Sequence, residues 1–458
     1  MRPILLTTLS LVATSSVAVA QQQEKPNVLF ILVDDLGAYD LNFLGQKELH
    51  TPNVDRLASQ GVYFDNAYAA APVSSPTRAS IVSGQSPAEV KITCHIPGIG
   101  TEKYINNMSK GKRFREADFR SALELEHPSI ADVMKSAGYK TAFFGKWHLA
   151  GDGSYNAKTG VVDANYHPDK FGYDINIGGC AYGQPASYFS PYMNLTIEDG
   201  EDGEYLTDRL ASEAISYMTE NQGDPMFLFL SFYSVHTPYQ VPEDVVERNG
   251  GNKYHAMIEK MDENVGRVLN AVEELGLSED TIIFFYSDNG GLQKNPPISG
   301  IKGDLLEGGI RVPMIAKWAG KTKAGTVCSE PVTSIDVFPT LAEISGQKKS
   351  VESPDPTSRS LYSIVAGEGD KLKSRSLYWH FPHHRAKTEW SMGSAIRNGD
   401  YKLIHIYETE KTFLFNLKED PKELNNLAEA DPRRTAKMFK ELNNWIESVD
   451  GEMPVENK

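Results

Sequence analysis

The chain alternates between continuous apolar runs and amphipathic stretches. Asn27–Val33 (NVLFILV) is apolar almost throughout, as a strand buried on both faces requires. Lys140–Phe144, Met226–Tyr233 (MFLFLSFY), Thr281–Tyr286 (TIIFFY) and Ile310–Trp318 are further runs of this kind. Helical spacing fills the intervals. Thr51 offers an N-cap and Pro52 a first helical position for a body Val54–Gln60 that ends at Gly61. Ser129–Ser136 closes at Gly138, and Leu206–Asn221, Tyr254–Leu275 and Ser334–Ile344 continue the series. Strand and helix in repeated alternation predict an α/β fold, a large mostly parallel sheet flanked by helices on both faces. Gln85–Pro128 has little periodicity and reads as a long insertion of loops.

The pattern changes near Lys371. Leu377–Phe381, Ser394–Arg397, Tyr401–Tyr407 and Thr412–Leu417 are short strand candidates, with turns at Asn398-Gly399 and Glu408–Lys411. A helix from Pro432 to Val449, N-capped by Asp431, follows. These predict a small C-terminal antiparallel sheet with a helix. The start of the chain is different again. Met1-Arg2-Pro3 is a basic n-region, Ile4–Val12 an apolar core, and Ala18-Val19-Ala20 an A-x-A cleavage site. That run is too short and too interrupted to span a bilayer, and no other stretch reads as transmembrane. No Cys follows Ala20 to carry a lipid anchor. The expected division is a signal peptide over 1–20, a large domain over 21–370 and a C-terminal subdomain over 371–458. A periplasmic or secreted protein without a membrane span is expected.

Composition narrows the function classes. The 458 residues are 40% hydrophobic and 23% charged, which suits a globular protein and excludes disordered or collagen-like chains. A net charge of −15 argues against nucleic acid as a partner, because phosphate backbones reward clustered Lys and Arg. Cys94, Cys180 and Cys328 are too few and too dispersed for a disulfide framework or a cysteine zinc site. One disulfide with one thiol, and three unpaired cysteines, both remain open.

Ligands of open α/β sheets bind at the carboxyl ends of strands. Three strands here run into Asp34-Asp35-Leu36-Gly37, Asp288-Asn289-Gly290-Gly291 and Ser234-Val235-His236-Thr237-Pro238. Either acidic pair alone would be ordinary turn residues. Together, Asp34, Asp35, Asp288 and Asn289 offer four oxygen donors of the kind Ca²⁺ or Mg²⁺ selects.

The stretch Ser74-Ser75-Pro76-Thr77-Arg78-Ala79-Ser80-Ile81-Val82-Ser83-Gly84 resembles the motif of type I sulfatases. In that motif Cys or Ser, any residue, Pro, a small residue and Arg precede a short helix ending Thr-Gly. Read alone, SSPTRAS is also a capped helix start. Other blocks of the family follow in order: Gly145-Lys146-Trp147-His148-Leu149, His236-Thr237-Pro238, and Lys302-Gly303 with Glu307-Gly308-Gly309-Ile310-Arg311-Val312-Pro313. Ser83 and Ala150 depart mildly from the family pattern.

The resemblance implies an alkaline-phosphatase-like fold and a sulfuric ester hydrolase. It implies a Ca²⁺ ion, with Mg²⁺ the alternative, held by Asp34, Asp35, Asp288, Asn289 and residue 74. It also implies oxidation of Ser74 to formylglycine by a maturation enzyme that acts on serine. Arg78, Lys146 and Lys302 would supply fixed positive charge around the sulfate. His236 would protonate the leaving alcohol and His148 would act as the base, tasks that suit an imidazole.

The expected partner is a sulfated oligosaccharide or polysaccharide, of algal galactan or glycosaminoglycan type. Candidate substrate contacts are His95, shortly after the nucleophile helix, and His383, His384 and Arg385 in Trp379–Arg385. Trp379 and Phe381 suit sugar stacking or a core. Lys110, Lys112, Arg113, Arg115 and Arg120 form a basic run that suits a solvated loop or an anionic polymer. Rival readings are a phosphomonoester or phosphonate hydrolase of the same superfamily, and a non-catalytic sulfated-glycan binder should Ser74 stay unconverted. The sugar, the sulfate position, exo or endo action, and whether Ser74 is native or replaces a Cys are left open.

Overall fold

The computed structural model describes residues 25–156, 158–348, 353–386 and 388–457. The signal peptide expected over 1–20 lies outside the described residues. Eight strands form the main sheet: β1 (Asn27–Val33), β2 (Val62–Phe64), β3 (Lys140–Gly145), β4 (Ile175–Ile177), β5 (Met226–Ser231), β6 (Thr281–Ser287), β7 (Met314–Trp318) and β8 (Thr326–Cys328). Their spatial order is β8-β2-β7-β6-β1-β5-β3-β4. Pairings are parallel except those of β7, which runs against both β2 and β6.

Central β1 shows why the apolar run is continuous. Val28, Phe30 and Leu32 enter one core, and Leu29, Ile31 and Val33 enter the other. On the second side pack α1 (Pro52–Gln60), α5 (Leu206–Glu220) and α6 (Lys253–Glu274). On the first lie α2 (Ser74–Ser83), α4 (Ile130–Ser136) and α7 (Val337–Ile344). Ser129 caps α4 by accepting from Ala131 N–H. Thr51 precedes α1 without capping it through its side chain, since its hydroxyl donates to Asp55 Oδ1 at 2.9 Å instead.

Two local expectations change. Ile310–Trp318 is not one strand: Glu307–Ile310 is a helical turn, and the strand starts at Met314, after Pro313. Proline has no N–H to give to a ladder. The insertion 85–128 also holds a helix, α3 (Thr101–Met108), which buries only Tyr104 and Ile105. Two apolar contacts over eight residues leave no period to read.

A second sheet is the antiparallel meander β9 (Ser376–Phe381), β10 (Gly393–Asn398), β11 (Tyr401–Ile406) and β12 (Lys411–Asn416). The β10–β11 hairpin closes through Gly399 and Asp400, since Asn398 pairs with Tyr401. One face holds Ile396, Leu403 and Leu414 against Met438, Leu442 and Trp445 of α8 (Pro432–Ser448). The other packs Trp379, Phe381, Ala395 and Ile404 against Val73, Leu305, Leu306 and Ile310. The small sheet therefore rests beside the start of α2 and the loop that carries Lys302. Among the described residues, no helix is long and apolar enough to cross a membrane.

Candidate active site

Four neighbouring strands, β6-β1-β5-β3, deliver the chemistry to one edge of the sheet. Beyond β1 come Asp34 and Asp35, and beyond β6 come Asp288 and Asn289. Lys146 and His148 follow β3, and His236 lies past β5. All three carboxylates are fully buried, and each offers an oxygen within 4.8 Å of the others. Helix α2 points its first turn at them. Its N-cap is Val73, so Ser74 is already helical and performs no capping. Ser74 Oγ lies instead 3.2 Å from Asp34 Oδ1, 3.1 Å from Asn289 Oδ1 and 3.4 Å from Lys146 Nζ.

Cations balance this charge. Lys146 Nζ is 2.6 Å from Asp34 Oδ2, and Lys302 donates to Asp35 Oδ1. Arg78 Nε donates to Asp288 Oδ2 at 2.8 Å, and its Nη1 reaches Lys146 O and Ser231 Oγ at 2.7 Å. Burial and the nearby Asp288 push Asp34 up to about 8 despite Lys146. Burial opposes ionisation of Asp35 as well, but Lys302, His236 and Lys146 outweigh it and hold that carboxyl well below its usual range. Asp35 Oδ2 has no hydrogen-bond partner, with His236 Nε2 at 3.7 Å. Asp35 and His148 both adopt φ 62. Left-handed backbone at non-glycine residues costs of order 1 kcal/mol or more and is concentrated at functional sites.

The two histidines are held in definite tautomers. His148 Nε2 donates to Ile96 O at 2.8 Å, leaving its buried Nδ1 without a partner. His236 Nδ1 donates to Thr237 O at 2.7 Å and presents Nε2 towards Asp35. Burial, and after it the charge of Lys146, keeps His148 well below the usual imidazole range. Burial holds His236 down, at about 3, against the pull of Asp35.

The chain that builds this charge-dense pocket matches known proteins along most of its length. Residues 26–347 fit the sulfatase family model, and residues 302–451 fit the C-terminal model of N-sulphoglucosamine sulphohydrolase. The chain belongs to the sulfatase family. A sulfatase of Formosa agariphila is 30% identical, covering 92% of this chain and 89% of its own. Mouse steryl-sulfatase is 28% identical over 94% of this chain and 84% of its own. The crystal structure of Ps i-CgsB with k-i-k-neocarrahexaose superposes with a TM-score of 0.76 at 27% identity, covering 92% of this chain and 93% of that one. The chain is thus a sulfatase enzyme with the alkaline-phosphatase-like architecture expected from its motifs.

The structure brings Asp34, Asp35, Ser74, Arg78, Lys146, His148, His236, Asp288, Asn289 and Lys302 together at one sheet edge. Arg78 gives its Nε and Nη1 to Asp288, Ser231 and the Lys146 carbonyl, while its Nη2 makes no hydrogen bond. It holds two strand ends and a carboxylate in place. The substrate candidates divide. His95 is half-buried, and burial, Arg385 and Lys302 keep it well below the usual imidazole range. Arg385 lies along Gly303, where a Cβ would stand 2.8 Å from its Nε and where φ is +94. No described acidic side chain pairs with its guanidinium. His383 and His384 are buried away from solvent. His383 contacts Thr93 Oγ1 at 2.7 Å and Glu116 Oε2 at 3.3 Å, and His384 Nε2 donates to Phe114 O at 2.9 Å. Trp379 and Phe381 belong to the core. In the basic run, Arg113 pairs with Glu410, Arg115 with Asp118 and Arg120 with Glu126, as solvated surface pairs do.

Some residues escaped the sequence reading. Ser231 bridges Arg78 and Lys146 O, and Glu116 anchors His383 and the His384 N–H. A lone polar residue on a strand or in a loop carries no local signal. The cysteines are free and buried. Chain spacing gave no reason to expect Cys94 near other donors, yet the fold sets it with Glu116 and His383. Burial there raises the thiol well above its usual range, which keeps it protonated.

Proposed function

We propose that this sulfatase removes sulfate from a sulfated carbohydrate outside the cytoplasm, with Ser74 as the precursor of formylglycine. The observation that carries this reading is the orientation of Ser74: a helix-start serine that caps nothing and points its hydroxyl at Asp34, Asn289 and Lys146. Residues 21–370 would form the catalytic domain, and 371–458 a subdomain that brings Arg385 to its rim.

The donor set fits a hard dication. Asp34, Asp35, Asp288 and the Asn289 carbonyl oxygen are all oxygen ligands, fully buried, and Asp35 Oδ2 has no other partner. Bound there, Ca²⁺ or Mg²⁺ would neutralise charge at the sulfate oxygens and the attacking oxygen. Oxidation of Ser74 would supply, as the hydrate, one hydroxyl to attack sulfur and a second to expel sulfate. Lys146, nearest to residue 74, steadies negative charge at the attacking atom, and Lys302 does so on the Asp35 side. Nδ1 of His148 is the free lone pair that takes a hydroxyl proton. His236 Nε2 faces the pocket to serve the leaving alcohol. In the ligand-free protein it is neutral, and an anionic sulfate ester brings the charge that favours its protonation.

The carbohydrate class is supported by Ps i-CgsB, a structural relative solved in complex with k-i-k-neocarrahexaose, and by the half-buried His95 and unpaired Arg385 beside Lys302. The test is the mass of the peptide containing Ser74 together with sulfate release from carrageenan and glycosaminoglycan oligosaccharides. Conversion should lighten the peptide by two hydrogens, and activity should track the converted fraction. Many turnovers by chains carrying only unmodified serine would refute the reading.

A further inference from the structure

Beside the Lys302 loop lies an open cleft of about 820 Å³, within the range of ligand pockets of roughly 300–1,000 Å³. We propose that this cleft is a subsite for an uncharged sugar ring adjoining the one that carries the scissile sulfate. The proposal rests on the carbohydrate-sulfatase reading and deepens it.

Position comes first. The wall includes Gly300 and Ile301, which immediately precede Lys302, and Leu292, which follows Gly291. The Gly291 carbonyl accepts the Lys302 N–H at 2.8 Å, so one piece of backbone joins the sulfate pocket to the cleft. Arg385 lies along Gly303, the residue between Lys302 of the sulfate pocket and Asp304 of the cleft.

Chemistry comes second. Asp304 lines the cleft yet is only 4% exposed. Its Oδ2 accepts from the Ile301 N–H at 2.9 Å, while Oδ1 has no hydrogen-bond partner. Buried acceptors in folded proteins are nearly always satisfied, and a carboxylate oxygen can only accept. Thr388, also in the wall, lies beside this carboxylate without completing a hydrogen bond to Oδ1, which leaves a place for a donor such as a sugar hydroxyl. Trp390 forms the opposite kind of wall. Its indole rests against Phe413 at 4.8 Å between centroids and stays partly exposed, and its carbonyl accepts the Leu305 N–H at 2.8 Å. A fixed aromatic face with hydroxyl acceptors nearby suits a pyranose, apolar on its faces and polar at its edge. Thr388 and Gln293 add neutral polar groups. Asp304 and Glu389 outnumber Lys294 among the charged groups of the cleft, which disfavours a second sulfate there.

The test compares three substrates on the matured enzyme and on Trp390→Ala and Asp304→Asn: 4-nitrophenyl sulfate, a sulfated monosaccharide, and a tetrasaccharide containing that residue from carrageenan or chondroitin. Aryl sulfate turnover reports the sulfate pocket alone, so its absence in wild type would sink the sulfatase chemistry itself. With that activity present, wild type should prefer the tetrasaccharide over the monosaccharide at least about 10-fold in kcat/KM. Each variant should lower the ratio of tetrasaccharide to aryl kcat/KM about 10-fold, the scale of one hydrogen bond or stacking contact. Asp304→Asn keeps an acceptor for Ile301 while turning the orphan position into a donor, so it tests the site even should Trp390→Ala unfold. A folded Asp304→Asn with an unchanged ratio, or a wild type indifferent to chain length, overturns the proposal.

Discussion

Two of the buried charge clusters among the described residues are built differently. At the sheet edge, Asp34, Asp35 and Asp288 face Lys146, Lys302 and Arg78. At the junction of the two sheets, Glu307 and Glu423 share Lys402, all three side chains at most 1% exposed. In the junction three of the four carboxylate oxygens accept a hydrogen bond, from Lys402 and Tyr68 on Glu307 and from the Glu307 N–H on Glu423, and the fourth, Glu423 Oε1, meets Lys402 Nζ at 2.8 Å as an ion pair. Arg397 reaches the same Tyr68 hydroxyl. The sheet edge is left incomplete, with Asp35 Oδ2 and His148 Nδ1 unpartnered. A closed network fixes a geometry; an open one has valence left for a ligand. The Glu-Gly-Gly-x-Arg-x-Pro block, which the motif reading placed beside Lys302, belongs to the closed cluster.

The largest contrast comes from removing one group from each. Ser74→Ala should abolish sulfatase turnover, a loss of at least about 10³-fold, as for removal of a catalytic nucleophile. Its stability should change by only about 1 kcal/mol, since a single hydroxyl is lost. Lys402→Met should do the reverse. It strands two buried carboxylates, a defect that costs about 3–5 kcal/mol, while kcat per folded molecule holds. Parallel melting curves and active-fraction assays decide. A stable Lys402→Met would break the distinction.

Metal should separate the clusters next. Chelation by EDTA should remove activity and lower Tm, and Ca²⁺ or Mg²⁺ should restore both. A ligand at 100 times its Kd stabilises by about 2.7 kcal/mol. Asp35→Asn, with one charge fewer in the donor set, should blunt the Tm response. Lys402→Met should keep it in full from its lower baseline. A Tm indifferent to EDTA in a demonstrably metal-free preparation would remove the ion from the sheet edge.

How much of this was legible in the sequence follows from how local each feature is. Strand β1 announced itself because both of its faces are buried, and the chemistry at its end followed from where open sheets bind ligands. Ser74 was legible through Pro76 and Arg78, whose spacing belongs to a family motif. The anchoring of Arg78 was not, because its partners Ser231 and Asp288 come from other strands. His383 and His384 looked like substrate groups for the same reason, since nothing nearby in the chain reveals Thr93, Glu116 or the Phe114 carbonyl. The closed cluster was invisible as a cluster. Glu307, Lys402 and Glu423 lie on separate elements that meet only when the small sheet docks.

The smallest expected effect tests the closed cluster by pH. Burial, with Glu307 close by, pushes Glu423 up to about 7 against the pull of Lys402. Glu307 moves the other way: burial opposes its ionisation, but Lys402, Arg311 and Arg397 hold it down. Between the ordinary glutamate value of 4.5 and about 7, the folded chain therefore binds a proton at Glu423 that the unfolded chain releases. Stability from this group must fall as pH rises through that window and level off above it. Glu423→Gln removes the titration while keeping an acceptor for the Glu307 N–H. The unfolding free energy of the variant relative to wild type should rise by about 1 kcal/mol or more from pH 4.5 to 7.5, one pKa unit being worth about 1.4 kcal/mol. Chemical denaturation at several pH values measures it. A difference that stays flat would mean that Glu423 is ionised throughout, and that the junction holds its charges as tightly as its geometry suggests.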